Sequence, residues 1–385
     1  MDNFQGRKPK ISVVLPCLNE EATVGICIEK IKNAFTKYSY DGEIIVADNG
    51  STDRSSEIAK NMGAIVVVEM RKGYGNAYHC GMAAAQGDFL IMADADDTYD
   101  FDEIDKFVEP LEKGYELVMG NRFGGLMDKK AMGFLSKLGN PILSGILRLF
   151  FRTKIRDSHC GMRSFTRPAY DSLNLQTTGM EYASEMVIKA HWKKLKIYEM
   201  PIKYHPRAGE SKLSPWRDGW RHLKFMLLYA PNWLFLGPGL FLFFIGIFLL
   251  TAMTFGELKI GKIILHLHPM FFGSLLVLLG YQIFSFGLLV KLYAYAQKLM
   301  LRSKLVDFYL KHFSLDRLIL IGSFIFLIGV ALGVWVYLIW ARGDFGALFE
   351  VRKSLTSITL IVLGLQIIFT GFFYNIFRIG LRGHE

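Results

Sequence analysis

Four apolar segments in the second part of the chain, roughly 234–255, 270–293, 318–340 and 355–377, constrain its fold more than any other feature. Each is about the ~20 residues an α-helix needs to cross the hydrocarbon of a bilayer. No water is available there to satisfy the backbone, so each segment must bond within itself, as a helix. Paired hairpins forming a membrane-embedded core are the alternative, and the lengths argue against it. Gln282, Gln366 and Asn375 lie in the second and fourth segments, where they can bond between helices of a bundle. No charged residue occupies the middle of any segment, so they are expected to anchor the chain, with no ion pathway.

Orientation follows from the loops. The end of the second segment and the loop to the third carry Lys291, Lys298, Arg302, Lys304, Lys311 and Arg317. The loop before the second has only Lys259 and Lys262, and the one after the third has Arg342, Arg352 and Lys353. The basic loop is therefore expected on the cytoplasmic side, and four crossings put both termini there as well. Residues 1–10 are polar, with no apolar signal core, so the amino-terminal domain is expected to stay in the cytoplasm. The net charge of +10 could point to nucleic acid. Much of the basic excess flanks the apolar runs, which fits a lipid bilayer better, and no nucleic-acid partner is expected. Cys17, Cys27, Cys80 and Cys160 are scattered, with no pair at metal spacing and no disulfide framework.

The first part of the chain has ordinary globular composition. Apolar runs at 11–18, 43–47, 64–68 and 89–93 read as strands. Helical patterns pass through Val24, Ile28 and Ile31, then Ile58 and Met62, then Met82 and Ala85. This β-α alternation predicts a mostly parallel sheet covered by helices. A helix through Ile104, Phe107, Val108 and Leu111 should stop at Gly114, and 116–119 reads as a further strand. In 129–156 an apolar face is mixed with Lys137, Arg148, Arg152, Lys154 and Arg156. It reads as a membrane-surface helix, with a core helix carrying solvated lysines as the alternative. Residues 157–163 read as a polar loop, 178–190 as a helix with Glu181 and Glu185 on one face, 197–202 as a strand and 204–213 as a basic loop. The basic amphipathic stretch 216–230 reads as an interfacial helix with Trp216, Trp220 and Trp233 at headgroup level.

Open α/β sheets bind ligands beyond the carboxyl ends of their strands. The first strand delivers Pro16, Leu18, Asn19 and Glu20 there, the second Asp48, and the fourth Asp94 and Asp96. In an extended chain Asp94 and Asp96 share a side while Asp97 faces away. Two carboxylates on one side suit a hard divalent cation that also holds a phosphate; the plain alternative is a solvated acidic turn. The turn Arg71-Lys72-Gly73-Tyr74-Gly75 opens a helix whose N–H groups favour phosphate, or is only a tight turn. Together these parts describe a nucleotide-diphosphate site.

Val14-Leu15-Pro16-Cys17-Leu18-Asn19-Glu20-Glu21, Ala47-Asp48-Asn49-Gly50-Ser51-Thr52-Asp53, Lys72-Gly73-Tyr74-Gly75-Asn76-Ala77 and Asp94-Ala95-Asp96 occur in the order and spacing of family 2 glycosyltransferases with a GT-A fold. Asn121-Arg122-Phe123, the 157–163 loop, Arg207-Ala208-Gly209-Glu210-Ser211-Lys212 and the carboxy-terminal spans narrow the resemblance to polyprenyl-phosphate glycosyltransferases, the dolichyl-phosphate mannose and glucose synthases. The resemblance implies a Rossmann-like GT-A domain over 1–213, an amphipathic interfacial helix over 214–232 and an all-α membrane domain of four helices over 233–385.

It also implies roles. Pro16, Asn19, Glu20, Asp48, Lys72, Asp94 and Ala95 would form the nucleotide-sugar side. Asp94 and Asp96 would hold Mg²⁺ or Mn²⁺, with Asp96 the direct ligand. Asp96, Arg122 and Asp157 would be catalytic. Arg122, Arg163, Arg207, Ser211 and Lys212 would bind the phosphates of donor or acceptor, and Glu185 would support the acceptor loop. Many relatives follow the metal motif with Gln-x-x-Pro; Asp97-Thr98-Tyr99-Asp100-Phe101 stands here instead, which bears on the sugar contacts. The implied reaction is inverting transfer from a nucleotide-diphosphate sugar, UDP-glucose first and GDP-mannose second, to a polyprenyl or dolichyl phosphate. A glycosyltransferase with another lipid or glycan acceptor, and a membrane adaptor or transporter with an inactive nucleotide domain, are the alternatives. No Gln-x-x-Arg-Trp sequence of the processive synthases occurs. A homo-oligomer is compatible with the resemblance.

Overall fold

The computed structural model describes residues 10–128, 130–208, 214–260, 262–296, 300 and 304–382. The chain forms two compact units, Met1–Met226 and Leu227–Glu385. The first is built on a seven-stranded sheet in the order β3-β2-β1-β4-β6-β5-β7. Its strands are β1 (Ile11–Cys17), β2 (Gly42–Asp48), β3 (Ile65–Val68), β4 (Phe89–Met92), β5 (Leu117–Asn121), β6 (Arg163–Thr166) and β7 (Ile197–Pro201). β6 runs antiparallel between β4 and β5, and the other pairings are parallel. The central strands are buried on both faces, which is why β1 and β2 are near-continuous apolar runs.

The helices follow from periodicity. In α1 (Val24–Tyr38) the residues Val24, Cys27, Ile28, Ile31, Ala34 and Phe35 recur at helical spacing and are all buried. They join one core cluster with Val13, Leu15, Ile91, Phe107 and Val108. Truncating a residue such as Ile28 to Ala would cost about 2–5 kcal/mol in transfer and cavity terms. The unit continues with α2 (Ser55–Asn61), α3 (Tyr74–Ala84), α4 (Ile104–Glu112), α5 (Phe134–Phe151), α6 (Arg167–Leu173), α7 (Tyr182–Trp192) and α8 (Pro215–Leu228). α4 gives way to a turn at Gly114, whose φ of +90° only glycine adopts freely. Because β1 lies between β2 and β4, the chain reverses its direction of winding there, and the crevice at their carboxyl ends is where such sheets take ligands.

The second unit holds four helices long and apolar enough to cross a membrane: Asn232–Thr254, His268–Ala296, Leu315–Arg342 and Val351–Arg378. They correspond to a π-helical turn (Asn232–Leu236) leading into α9 (Gly237–Thr254), then α10 (His268–Ala296), α12 (Leu315–Arg342) and α13 (Val351–Arg382). A short hairpin of β8 (Leu258–Ile260) and β9 (Ile263–Leu265) links the first two, and α11 (Lys304–His312) lies in the basic loop. α9 meets α10 through glycines: a Cβ on Gly280 would lie 2.3 Å from the Phe243 nitrogen, and one on Gly246 2.4 Å from that of Val277. Small residues let apolar helices approach this closely. Interhelical hydrogen bonds come from hydroxyls, Ser274 to Thr359 at 2.7 Å and Ser357 to the Gly329 carbonyl at 2.7 Å. The expected glutamine glue differs: Gln366 Oε1 is buried without a partner.

Candidate active site

β1, β2 and β4 bring their carboxyl ends together, and the expected donor-side residues collect there. Asp48 is buried and accepts from the Ser51 N–H at 2.9 Å and the Ser56 hydroxyl at 2.8 Å. Asn19, in a left-handed conformation at φ 54°, accepts from the Thr52 N–H at 2.7 Å, and its own N–H donates to Ser51 Oγ at 3.0 Å. These bonds lock the loops after β1 and β2 to each other. Pro16 is half-buried one residue before the end of β1. Lys72 is exposed, and its ammonium bridges the Asn49 and Gly50 carbonyls at 2.9 Å each. It braces the rim of the crevice.

The glycine turn serves a different purpose from the one expected. A Cβ on Gly73 would lie 2.3 Å from the Thr178 carbonyl oxygen, and one on Gly75 2.4 Å from that of Thr177. The Gly73 N–H donates to Asn49 Oδ1 and that of Asn76 to the Thr178 carbonyl. These amides are spent on the chain itself, so the glycines admit a neighbouring backbone. Glu185 also corrects an expectation. It accepts from the Gln176 and Thr177 N–H groups and pairs with Lys189, so it holds the 176–178 segment, not the 157–163 loop.

At the end of β4 the chain leaves the extended conformation at Met92, and Asp97 is left-handed at φ 59°. Strict side-to-side alternation therefore does not apply. Asp97 nonetheless points away and pairs with Lys30 at 2.6 Å. Asp96 is buried and accepts from the Thr98 N–H at 3.2 Å and its hydroxyl at 2.6 Å. Ala95 is buried between the two carboxylates' loop and α1, its carbonyl accepting from the Thr23 hydroxyl at 2.7 Å. Asp94 accepts from the Tyr74 hydroxyl at 3.3 Å. Burial, and then the charge of Asp96, push the Asp94 carboxyl up to about 7. A carboxyl held up in this way gains from a nearby cation.

Arg207 approaches from the 203–208 segment. It pairs with Glu20 and lies 3.4 Å from Asp96, while its buried Nε has no partner. An unspent buried donor beside two carboxylates fits an anionic oxygen held with a cation. The donor set thus fits a divalent ion held by Asp94 and Asp96. Among the described residues no cluster of three or more potential ligands exists, so the remaining positions would fall to water and phosphate, as is usual for Mg²⁺.

The loop between α5 and β6 packs beside Asp94. Asp157 is fully buried and accepts from Arg122 Nε at 2.7 Å, Nη2 at 2.8 Å and backbone N–H at 3.0 Å. The Arg122 guanidinium also faces the Tyr204 ring at 5.4 Å. Asp157 is therefore engaged on both oxygens by Arg122, as a group that orients the guanidinium. Arg163 lies elsewhere than expected for a phosphate ligand. It is buried, and its guanidinium donates to the Cys160, Ser158 and Ala183 carbonyls at 2.8, 2.7 and 3.0 Å. It shapes the loop from within. Ser211 and Lys212 lie outside the described residues.

Two tyrosines went unnoticed in the sequence. Besides Tyr74, the buried Tyr99 accepts from the Gly161 N–H at 2.8 Å. A Cβ on Gly161 would lie 2.6 Å from Asp94 Oδ2, so this loop rests directly on Asp94. Tyr74 sits inside the glycine turn and Tyr99 three residues after Asp96; their proximity to known motifs was the available signal.

Comparison with known proteins gives the family. Residues 12–173 match the model of glycosyl transferase family 2, and residues 288–378 match the family 2 C-terminal transmembrane region. The low-salt glycan biosynthesis hexosyltransferase Agl6 of Haloferax volcanii is 38% identical over 366 residues, 94% of this chain and 88% of that protein. The chain belongs to glycosyltransferase family 2. This family 2 enzyme is an integral membrane protein with four candidate transmembrane helices. It is also 30% identical over 211 residues to a dolichyl-phosphate hexose transferase of H. volcanii, covering 54% of this chain and 89% of that protein. Among solved structures, glucosyl-3-phosphoglycerate synthase from Mycobacterium tuberculosis, in complex with Mn²⁺, UDP and glucosyl-3-phosphoglycerate, aligns over 58% of this chain and 80% of its own, with 26% identity and a TM-score of 0.47.

Proposed function

We propose that this glycosyltransferase moves a hexose from a nucleotide-diphosphate sugar to a polyprenyl phosphate at the cytoplasmic face of the membrane. The carrying observation is the pairing of two sets of groups around one crevice. Asp94 and Asp96, with the unspent Arg207 donor, suit a metal-bound diphosphate, and Arg122, set by Asp157, offers a cation to a second anion. Similarity to a dolichyl-phosphate hexose transferase supports the acceptor class.

A phosphate acceptor is already anionic at neutral pH, so its oxygen attacks without a strong base. The new bond forms to the anomeric carbon of the sugar, the bond from that carbon to the diphosphate breaks, and the nucleoside diphosphate departs with the electron pair. In-line attack inverts the anomeric centre. Mg²⁺ or Mn²⁺ held by Asp94 and Asp96 would supply charge neutralisation of the leaving diphosphate. Arg122 and Arg207 offset the repulsion between two phosphates, preorganised where the charge develops. Pro16, Asn19, Glu20 and Asp48 line the nucleoside side, with Lys72 at the rim.

The exposed apolar residues of α5 (Phe134, Leu135, Leu138, Ile142 and Leu149), with Lys137 and Arg148 beside them, and Trp216 and Trp220 of α8 suit a lipid headgroup surface. The division into a catalytic domain over 1–213, an interfacial helix over 214–232 and a membrane domain over 233–385 belongs to this proposal. So does the cytoplasmic placement of both termini, which rests on the basic loop containing α11. UDP-glucose is the preferred donor and GDP-mannose the second. A screen of UDP- and GDP-sugars against a short polyprenyl phosphate, with and without Mn²⁺, tests the proposal. Metal-dependent formation of a lipid-phosphate sugar is expected; transfer only to a diacylglycerol lipid or a glycan would overturn it.

A further inference from the structure

Behind the 157–163 loop lies a buried polar network that the proposed reaction does not use. Ser144 of α5 exchanges a hydrogen bond with Ser158 at 2.9 Å and accepts from the Ser158 N–H at 3.2 Å. The Ser158 hydroxyl contacts His159 Nδ1 at 3.0 Å. His159 Nε2 lies 3.5 Å from the Ser184 hydroxyl of α7, and that hydroxyl reaches His222 Nδ1 of α8 at 2.9 Å. The two imidazoles meet edge to face, with centroids 4.4 Å apart. Ser144, Ser158 and Ser184 are fully buried, and His222 is 5% exposed.

Buried hydroxyls and imidazoles are costly unless satisfied, and a satisfied network fixes a unique arrangement. This one begins on α5 and ends on α8, the two helices whose outer faces are apolar and exposed. The two helices also adjoin, since a Cβ on Gly219 would lie 4.0 Å from Leu143 Cδ1. Its centre is the residue pair immediately after Asp157. A shift of either helix therefore moves Ser158 and His159, and with them the carboxylate that orients Arg122.

We infer that Ser144, Ser158, His159, Ser184 and His222 form a positioning relay, through which seating of α5 and α8 on a lipid surface sets the acceptor-phosphate site at Arg122 and Asp157. His222 and Ser144 are its outer ends and touch no reactant. The inference rests on the proposed function for its acceptor, but the relay itself can be read out without one.

The test uses the full chain in bilayer nanodiscs, with a short polyprenyl phosphate as acceptor. For His222→Ala, KM for the acceptor rises about 10-fold, equivalent to about 1.4 kcal/mol, within the cost of leaving a buried hydrogen bond unmade. The dissociation constant for UDP with Mn²⁺ stays at the wild-type value. His222→Asn, which returns a polar atom near the Nδ1 position, recovers most of the loss. Ser144→Ala, a minimal change that keeps the fold, gives the same KM split from the other end. Amide exchange across 157–163 rises in both alanine variants. Unchanged KM and unchanged exchange in Ser144→Ala and His222→Ala would overturn the relay, as would an equal loss of UDP binding. If the wild-type enzyme transfers nothing to polyprenyl phosphate, the proposed function falls, while amide exchange still decides the relay.

Discussion

Replacing Asp157 by Ala removes one half of a buried ion pair. The carboxylate is fully buried and the Arg122 side chain 7% exposed. Three hydrogen bonds at 2.7, 2.8 and 3.0 Å are lost together, and a buried guanidinium is left without its carboxylate partner. Burial works against the Arg122 charge, and the Asp157 carboxylate compensates that penalty. Breaking such a pair costs about 3–5 kcal/mol. The unit that contains it ends at Met226, a size at which each kcal/mol shifts Tm by about 2–4 °C. A fall of roughly 6 to 20 °C follows, measured as thermal unfolding of the purified full chain by circular dichroism. The double variant Asp157→Leu with Arg122→Met, which leaves no charge stranded, should regain most of that loss. Its transferase activity should stay absent, because the cation is gone. A single Asp157→Ala variant that unfolds within about 2 °C of the wild type would refute the reasoning, and so would a double variant with normal activity.

Three further outcomes follow. Asp96→Asn keeps the shape of the metal loop and its bonds to Thr98 but removes a charge; Mn²⁺-dependent binding of UDP, followed by calorimetry, should weaken at least ~10-fold with Tm nearly unchanged, given typical contributions of charged ligands. The thiols of Cys17, Cys27 and Cys160 are pushed up by burial to about 11, 12 and 12, so in the folded enzyme a maleimide should label Cys80 first, and equal labelling of all four by mass spectrometry would contradict the packing. His222 is held down to about 4 by burial and by Arg163 and Arg221, and His159 well below its usual value by burial and by His222, Arg122 and Arg163. Both are neutral when folded, so their contribution is complete above about pH 6.5 and is lost as pH falls toward 4, where the unfolded chain binds more protons. For His222 alone this amounts to about 3 kcal/mol, and His222→Asn should flatten the pH dependence of Tm across that window.

The order of strands and helices in the first unit was legible because parallel strands buried on both faces leave unbroken apolar runs, and helices leave a period near four. The membrane-length helices were legible from length alone. What escaped was set by partners distant in sequence. β6 is only Arg-Ser-Phe-Thr, with no alternation to mark it; the gap between β4 and β5 makes it a strand. Arg163 looks like a ligand because arginines beside a polar loop often are, and only the fold reveals three carbonyls waiting for it. The glycines at 73 and 75 resembled a phosphate cradle, and the backbone they admit, Thr177 and Thr178, lies a hundred residues on. Asp97 turns away as expected, although by a left-handed backbone in place of strand alternation. That Pro16, Asp48 and Asp94 gather at one end of the sheet was readable, since they stand at or just beyond the ends of β1, β2 and β4. The His159–Ser184–His222 network was not, since no local pattern joins its members.

The central claim is that one crevice joins a metal-held sugar nucleotide to a lipid phosphate. Its most direct test follows radiolabelled glucose and mannose from UDP-glucose and GDP-mannose into lipid extract, using the full chain in bilayers with polyprenyl phosphate. A metal-dependent lipid-phosphate hexose of inverted anomeric configuration is expected, and it is lost in Asp96→Asn. Label that never enters the lipid fraction from any nucleotide sugar, or enters it equally well in Asp96→Asn, would contradict it.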